Sequence, residues 1–229
     1  MSAEFGSTNT LKATSQSSVL PSGGDATKQL NLDVDTPISK QLEDLHKLIT
    51  EINVAMMTTR TSDGHLVSRA MSVRECGKCG DTVFVTNNQT GKMTDFTDDP
   101  HVALSFYREK TKEWVSISGT ARVENDRALI TRYWTPELQE WFGKLDDTHD
   151  GGPADPRMSL VYVTADSVHY QIQDKSSLAV AYEMIKSGIT GAIPKIAAIR
   201  EISTAELTQA RKTSLESQIP GSTKTTTEE

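Results

Sequence analysis

Short stretches of alternating apolar and polar residues fill the middle of this chain, and helical spacing precedes them. Ile38, Leu42, Leu45 and Ile49 recur at helical intervals. They predict a helix over Thr36–Thr50, capped by Thr36 with Pro37 in its first turn. The period then changes to two. It predicts strands at Asn53–Arg60, Leu66–Arg74, Thr82–Asn87, Val102–Tyr107, Glu113–Val123, Ser159–Thr164 and Val168–Ile172. Ser62-Asp63-Gly64 and Gly77 to Asp81 supply turn chemistry between the first three.

In Leu66–Arg74 one face carries Val67, Arg69, Met71 and Val73, and the other carries Ser68, Ala70, Ser72 and Arg74. Glu113–Val123 alternates most cleanly: Val115, Ile117, Gly119, Ala121 and Val123 oppose Trp114, Ser116, Ser118 and Thr120. Short helices are expected from Thr90 to a break before Pro100, from an Asp126 cap through Tyr133, and from Thr135-Pro136. Leu178–Ile185 reads as helical, and a further helix opens at Ser203, where Glu206 completes a capping box. Seven short strands with flanking helices point to a mainly β fold. Closure into a barrel removes exposed edges, and a sandwich is the alternative.

Composition sets the limits of that fold. Hydrophobic residues make up 36% of the 229, below the roughly 45% usual in globular domains. The deficit lies in residues 1–35 and in Lys212 to Glu229, which cannot offset the entropy of ordering. We therefore expect a disordered tail over 1–35, a barrel domain over 36–175, and a C-terminal helical extension and tail over 176–229. The net charge of −7 and the absence of a basic face argue against nucleic acid. No apolar run approaches the roughly 20 residues that span a bilayer, and no secretory pattern opens the chain. The expected location is cytoplasmic. Cys76-Gly77-Lys78-Cys79 is a C-x-x-C without a second pair and falls in a predicted turn. It is read as an exposed turn, with no metal site expected. The Asp146-Asp147-Thr148-His149-Asp150 run lacks calcium-loop spacing and is read as a solvated loop.

The order of motifs then becomes informative. Gly64-His65-Leu66-Val67-Ser68-Arg69-Ala70-Met71, Val83-Phe84-Val85-Thr86, Thr90-Gly91-Lys92 and Ser118-Gly119-Thr120-Ala121 follow one another. This succession resembles the pyridoxamine-phosphate-oxidase-like superfamily of FMN-binding split β-barrels. Tyr133-Trp134-Thr135-Pro136, Trp141-Phe142-Gly143 and Pro156-Arg157-Met158-Ser159-Leu160 resemble its general-stress-protein branch, in particular the blue-light-inducible fungal members. The resemblance covers about Ile38 to Ile172.

That resemblance implies FMN as cofactor, a homodimer and a flavin-dependent oxidoreductase-like activity. It implies that Arg69, Ala70, Met71 and Ser72 line the flavin, with Arg69 reaching the phosphate or ribityl chain. It likewise implies that Val85 and Thr86 contact the isoalloxazine, that Lys92 grips the phosphate, and that Trp114 reaches the flavin from the partner subunit. Physically, Arg69 offers a planar fork, Lys92 a compact charge in the first turn of a helix. Ser68, Ala70 and Ser72 offer an uncluttered wall for a flat ring, although either strand face could meet it. Trp134 and Trp141 are expected to pack the barrel end. The Arg-x-His motif that closes the classical oxidases is missing, and Arg74 stands where they keep a lysine. No catalytic acid or base is identified. A non-enzymatic flavin binder, and a heme or deazaflavin binder, are the alternatives.

Overall fold

The computed structural model describes residues 31–173 and 197–216, with Tyr182, Ile185, Lys186 and Ile189, all helical, between them. Residues 1–30 and 217–229 of the expected tails, and most of the predicted Leu178–Ile185 helix, lie outside the described residues. Helix α1 (Ile38–Ile52) leads into β1 (Val54–Arg60), β2 (Leu66–Cys76) and β3 (Thr82–Asn87). Helix α2 (Lys92–Asp98), β4 (His101–Arg108), β5 (Glu113–Glu124), α3 (Arg127–Tyr133) and α4 (Pro136–Phe142) follow. The chain then forms β6 (Met158–Ile172), β7 (Ala198–Ile202) and α5 (Thr204–Glu216).

The strands lie in the order β3-β2-β1-β4-β5-β6-β7, and a β3–β6 pairing closes the first six into a barrel. All named pairings are antiparallel. One edge of β6 serves two strands in turn: Met158–Val163 pairs with β3, and Val168–Ile172 pairs with β7. This mainly β architecture is a split β-barrel with peripheral helices.

The inward residues of the strands, among them Met57, Phe84, Leu104, Ile117, Val163 and Tyr170, form the core with Leu45 and Ile49 of α1. A second apolar cluster lies on the outer side of β3 and β6, where Val83, Val85, Met158 and Leu160 meet Ile130, Leu138 and Phe142 of α3 and α4. The two helices therefore cover one outer face of the barrel.

Several local expectations are corrected. Thr36 does not cap α1. The flanking residue is Pro37, no side chain caps the helix, and Thr36 donates its backbone N–H to Asp33 instead. The expected strands Ser159–Thr164 and Val168–Ile172 are one strand. Opposite Ser118 and Gly119 the pairing jumps from Ser167 to Ala165, so Asp166 is an inserted residue. That bulge shifts the phase of alternation, which made one strand read as two. Gly119 allows the close approach, because a Cβ there would lie 2.6 Å from the Thr164 carbonyl oxygen.

Beyond residue 175 the chain contributes more than helix. Strand β7 buries Ala198, Arg200 and Ile202, and α5 places Leu207 in the core. Residues before α1 also dock: Leu32 bridges Ile199, and Arg200 pairs with Asp33 at 2.8 Å and Asp44 at 2.7 Å. Asp126 and the Ser203–Glu206 pair cap α3 and α5 as their spacing predicts. Among the described residues no helix is long and apolar enough to cross a membrane.

Candidate functional site

The β2–β3 ladder is short. It runs only from Val73↔Phe84 to Cys76↔Thr82. Upstream, Leu66–Ser72 of β2 pairs with β1, while Val85, Thr86 and Asn87 of β3 pair with β6. Among the described residues, the facing edges of Arg69–Ser72 and Val85–Thr86 have no partner strand. The two strands part there, leaving a cleft edged by backbone N–H and C=O groups.

Side chains from three elements meet at this opening. Arg69 pairs directly with Met57 across the β1–β2 ladder and so shares its inward face. Its Nη1 donates to Thr59 Oγ1 at 2.7 Å, and its Nη2 donates to Asp95 Oδ2 at 3.2 Å. The Thr59 hydroxyl donates to the same Asp95 oxygen at 2.7 Å. Asp95 sits on α2, one turn after Lys92, and both are buried.

Lys92 has a different environment. Its Nζ donates to Thr90 Oγ1 at 2.9 Å, and that hydroxyl donates to the Asn87 carbonyl at 2.8 Å. Among the described residues no carboxylate lies within ion-pair distance of Lys92. Burial pushes its pKa down from 10.5, and the Arg69 charge pushes it further, while Asp95 partly opposes both. Two neighbouring cations thus share one carboxylate, which bonds directly to only one of them. The arrangement is short of negative charge.

The remaining expected site residues are distributed as follows. Met71 is half-buried against the core, while Ala70 and Ser72 are exposed on the outer sheet face. Thr86 points inward, is 1% exposed, and has a buried hydroxyl without a partner. The Val85 side chain joins the cluster under α3 and α4, so its contribution to the cleft is backbone. Trp114 does not reach this protomer's cleft. It lies opposite Tyr107 on the outer face of β5, three strands from β2 in the order β2-β1-β4-β5.

Sequence reasoning missed Thr59, Thr90 and Asp95. A signal existed for the first: Ala55, Met57 and Thr59 share the buried face of β1, so Thr59 is a polar residue in an apolar row. Asp95 carried only its spacing of three from Lys92. Of the tryptophans expected to pack, Trp134 is half-buried and donates to the Gly151 carbonyl at 2.9 Å, but Trp141 is 67% exposed.

A cavity of about 860 Å³ lies elsewhere, between α1, the β2–β3 turn and α5, lined by Leu42, Cys76, Cys79 and Ala210 among others. Its wall at Glu75 is six residues along β2 from Arg69, roughly 20 Å away. Contrary to the exposed turn expected, Cys79 is buried and Cys76 half-buried. Burial, then the charges of Asp81 and Glu75, push the Cys76 thiol up to about 12, so it is a poor nucleophile near neutral pH.

The fold and its opening define a class, a split β-barrel whose β2–β3 parting carries Arg69 and Lys92. Comparison with known proteins specifies the class further. The family described as pyridoxamine 5'-phosphate oxidase like matches residues 40–195, and the chain belongs to that family. Protein bli-3 of Neurospora crassa is 38% identical over 186 residues, covering 80% of this chain and 89% of that protein. Among solved structures, a Jannaschia sp. CCS1 protein described as a general stress protein 26 superposes with a TM-score of 0.57. It is 19% identical and covers 72% of this chain and 98% of its own. A Clostridium acetobutylicum protein related to general stress protein 26 gives a TM-score of 0.50 at 20% identity, covering 58% and 88%. At those identities the two structures bear on the fold.

Proposed function

We propose that the protein binds flavin mononucleotide in the split between β2 and β3 and acts as a flavin-dependent, oxidoreductase-like stress protein. The supporting observation is Lys92, a buried cation beside Arg69 that has no carboxylate of its own among the described residues. Burying a charge without a counterion is costly. A phosphomonoester carrying about −1.5 to −2 charges supplies what the pair lacks.

The rest of the cleft fits the same group. The unpaired edges of Arg69–Ser72 and Val85–Thr86 offer backbone donors and acceptors to the polar rim of a flat ring, and Thr86 adds a buried hydroxyl in need of a partner. When bound, the flavin supplies transfer of a hydride or electron pair; the protein holds and orients it. Arg69 and Lys92 would grip the tail, while Ala70, Met71, Ser72 and Val85 would edge the ring.

The reading includes a homodimer. No described helix covers the outer face of β2, β1, β4 and β5, where Met56 is 44% and Tyr107 54% exposed beside Ala70, Ser105 and Ser116. A second copy on this face would bury those side chains and carry its Trp114 toward the neighbouring flavin.

An absorption spectrum of the purified protein, with the mass of the extracted cofactor, tests the assignment. A flavin spectrum and the mass of FMN are expected. A Soret band or a deazaflavin mass would replace it. Steady-state turnover with NADH, NADPH or pyridoxamine phosphate then separates an oxidoreductase from a flavin binder.

A further inference from the structure

We propose that Thr59 is the residue that positions Arg69 for a phosphate, an inference that rests on the flavin reading above. Thr59 is 1% exposed and follows Ala55 and Met57 in the inward row of β1. A valine would fill that place equally well by volume. Burying a hydroxyl instead is costly unless the hydroxyl is used.

Its use is unambiguous in direction. A guanidinium only donates and a carboxylate only accepts. The single Thr59 proton must therefore go to Asp95, 2.7 Å away, leaving a lone pair for Arg69 Nη1 at 2.7 Å. Arg69 Nη2 reaches the same Asp95 oxygen at 3.2 Å. Thr59 and Asp95 touch each other, so both lie across the Nη1–Nη2 edge of the guanidinium. The second edge, formed by Nε and Nη2, is left over, and among the described residues nothing accepts from Nε. That edge is the one able to donate two parallel hydrogen bonds to a phosphate. Without the hydroxyl, only Asp95 and a long 3.5 Å contact from Nη1 to the Val67 carbonyl would hold the guanidinium, and Asp95 could draw either edge toward itself. Thr59 decides which edge stays free.

The test is flavin affinity, read by fluorescence quenching on flavin-stripped full-length protein, for FMN and for riboflavin, which lacks the phosphate. Thr59→Val should weaken FMN roughly tenfold or more, the scale of a hydrogen bond to a charged group. Riboflavin affinity should not change, and Thr59→Ser should restore FMN binding. In an Arg69→Ala background, Thr59→Val should add no further loss, because its effect passes through the missing guanidinium. Equal loss of FMN and riboflavin, an undiminished FMN affinity, or a further loss without Arg69 would overturn the assignment. Should Thr59→Val not fold, as judged by its thermal transition, Thr59→Ala serves in the same four measurements. A wild-type protein with no preference for FMN over riboflavin would instead sink the flavin-phosphate reading itself.

Discussion

Asp95 accepts Arg69 Nη2 at 3.2 Å from the same helix that begins with Lys92, so one carboxylate stands between two cations. It bonds to the arginine, and only its field reaches the lysine. The geometry holds Arg69 in place and leaves positive charge uncompensated at the split. The behaviour expected of the cleft follows from that imbalance.

Replacing Lys92 with methionine removes a buried charge while keeping the volume. The flavin-free protein should become more stable by about 1 kcal/mol, because an unpaired buried cation is lost. FMN affinity should fall roughly 10- to 100-fold, since a charge-assisted contact goes with it. Denaturant titration and fluorescence quenching measure the two effects, which must have opposite signs.

The depressed pKa of Lys92 makes a further distinction by pH. Between that lowered pKa and 10.5 the unfolded chain binds more protons than the flavin-free native state. The Lys92 contribution to native stability should therefore rise with pH across this window. FMN affinity should fall across the same window, because the phosphate needs the protonated amine. Wild type minus Lys92→Met, measured at each pH, isolates both trends, and parallel slopes would refute the account.

Arg200 ties the segment before α1 to the barrel. For Asp33, burial alone would raise the pKa, but hydrogen bonds from Arg200 and Thr36 prevail and hold it at about 2 instead of 3.8. Its stabilisation is complete above the unfolded value and disappears as pH falls from 3.8 through about 2. Asp33→Asn should cost about 2 kcal/mol at pH 7 and almost nothing at pH 2. Urea unfolding at the two pH values checks this.

At Gly119 an added Cβ would meet the Thr164 carbonyl oxygen at 2.6 Å and Val163 Cγ1 at 2.8 Å. Backbone oxygen cannot swing aside. Gly119→Ala should destabilise the fold by about 1–3 kcal/mol, as overpacking does, visible as a lowered Tm. An unchanged Tm would mean that the bulge relaxes freely.

The uncovered sheet face gives a quaternary prediction. Met56→Asp combined with Tyr107→Asp should shift size-exclusion elution from twice the chain mass to the chain mass, with loss of bound flavin. A double variant that elutes as a dimer would discount this face as the interface.

Much of the barrel was legible because strand formation here is a local matter of alternation. Val115, Ile117, Gly119 and Ala121 are buried on one face of β5, as their spacing predicts. Legibility stopped where an inward position is polar or the phase slips. Arg200 sits at a buried position of β7 and broke its apolar pattern, and it is tolerated there only because Asp33 and Asp44 arrive from far away in the chain. Asp166 shifted the phase of β6. At the cleft, Arg69 and Lys92 could be named from motifs, but Thr59 and Asp95 could not, and Thr90, though it opens the Thr90-Gly91-Lys92 motif, gave no sign of its role, because their importance lies in whom they touch.

By itself the order of residues marked β1 to β5, the two halves of β6 and the turns between the first strands, each of which depends on neighbours a few positions apart. The two cations were named through the family resemblance that the succession of motifs carries. Tertiary structure decided that β2 and β3 part upstream of Val73 and beyond Phe84, that Arg69 is bound by an Asp95 whose field also reaches Lys92, and that Trp114 faces away from its own cleft. Those outcomes depend on ladder register and barrel closure, which bring together groups dozens of residues apart, and no local period encodes such distances.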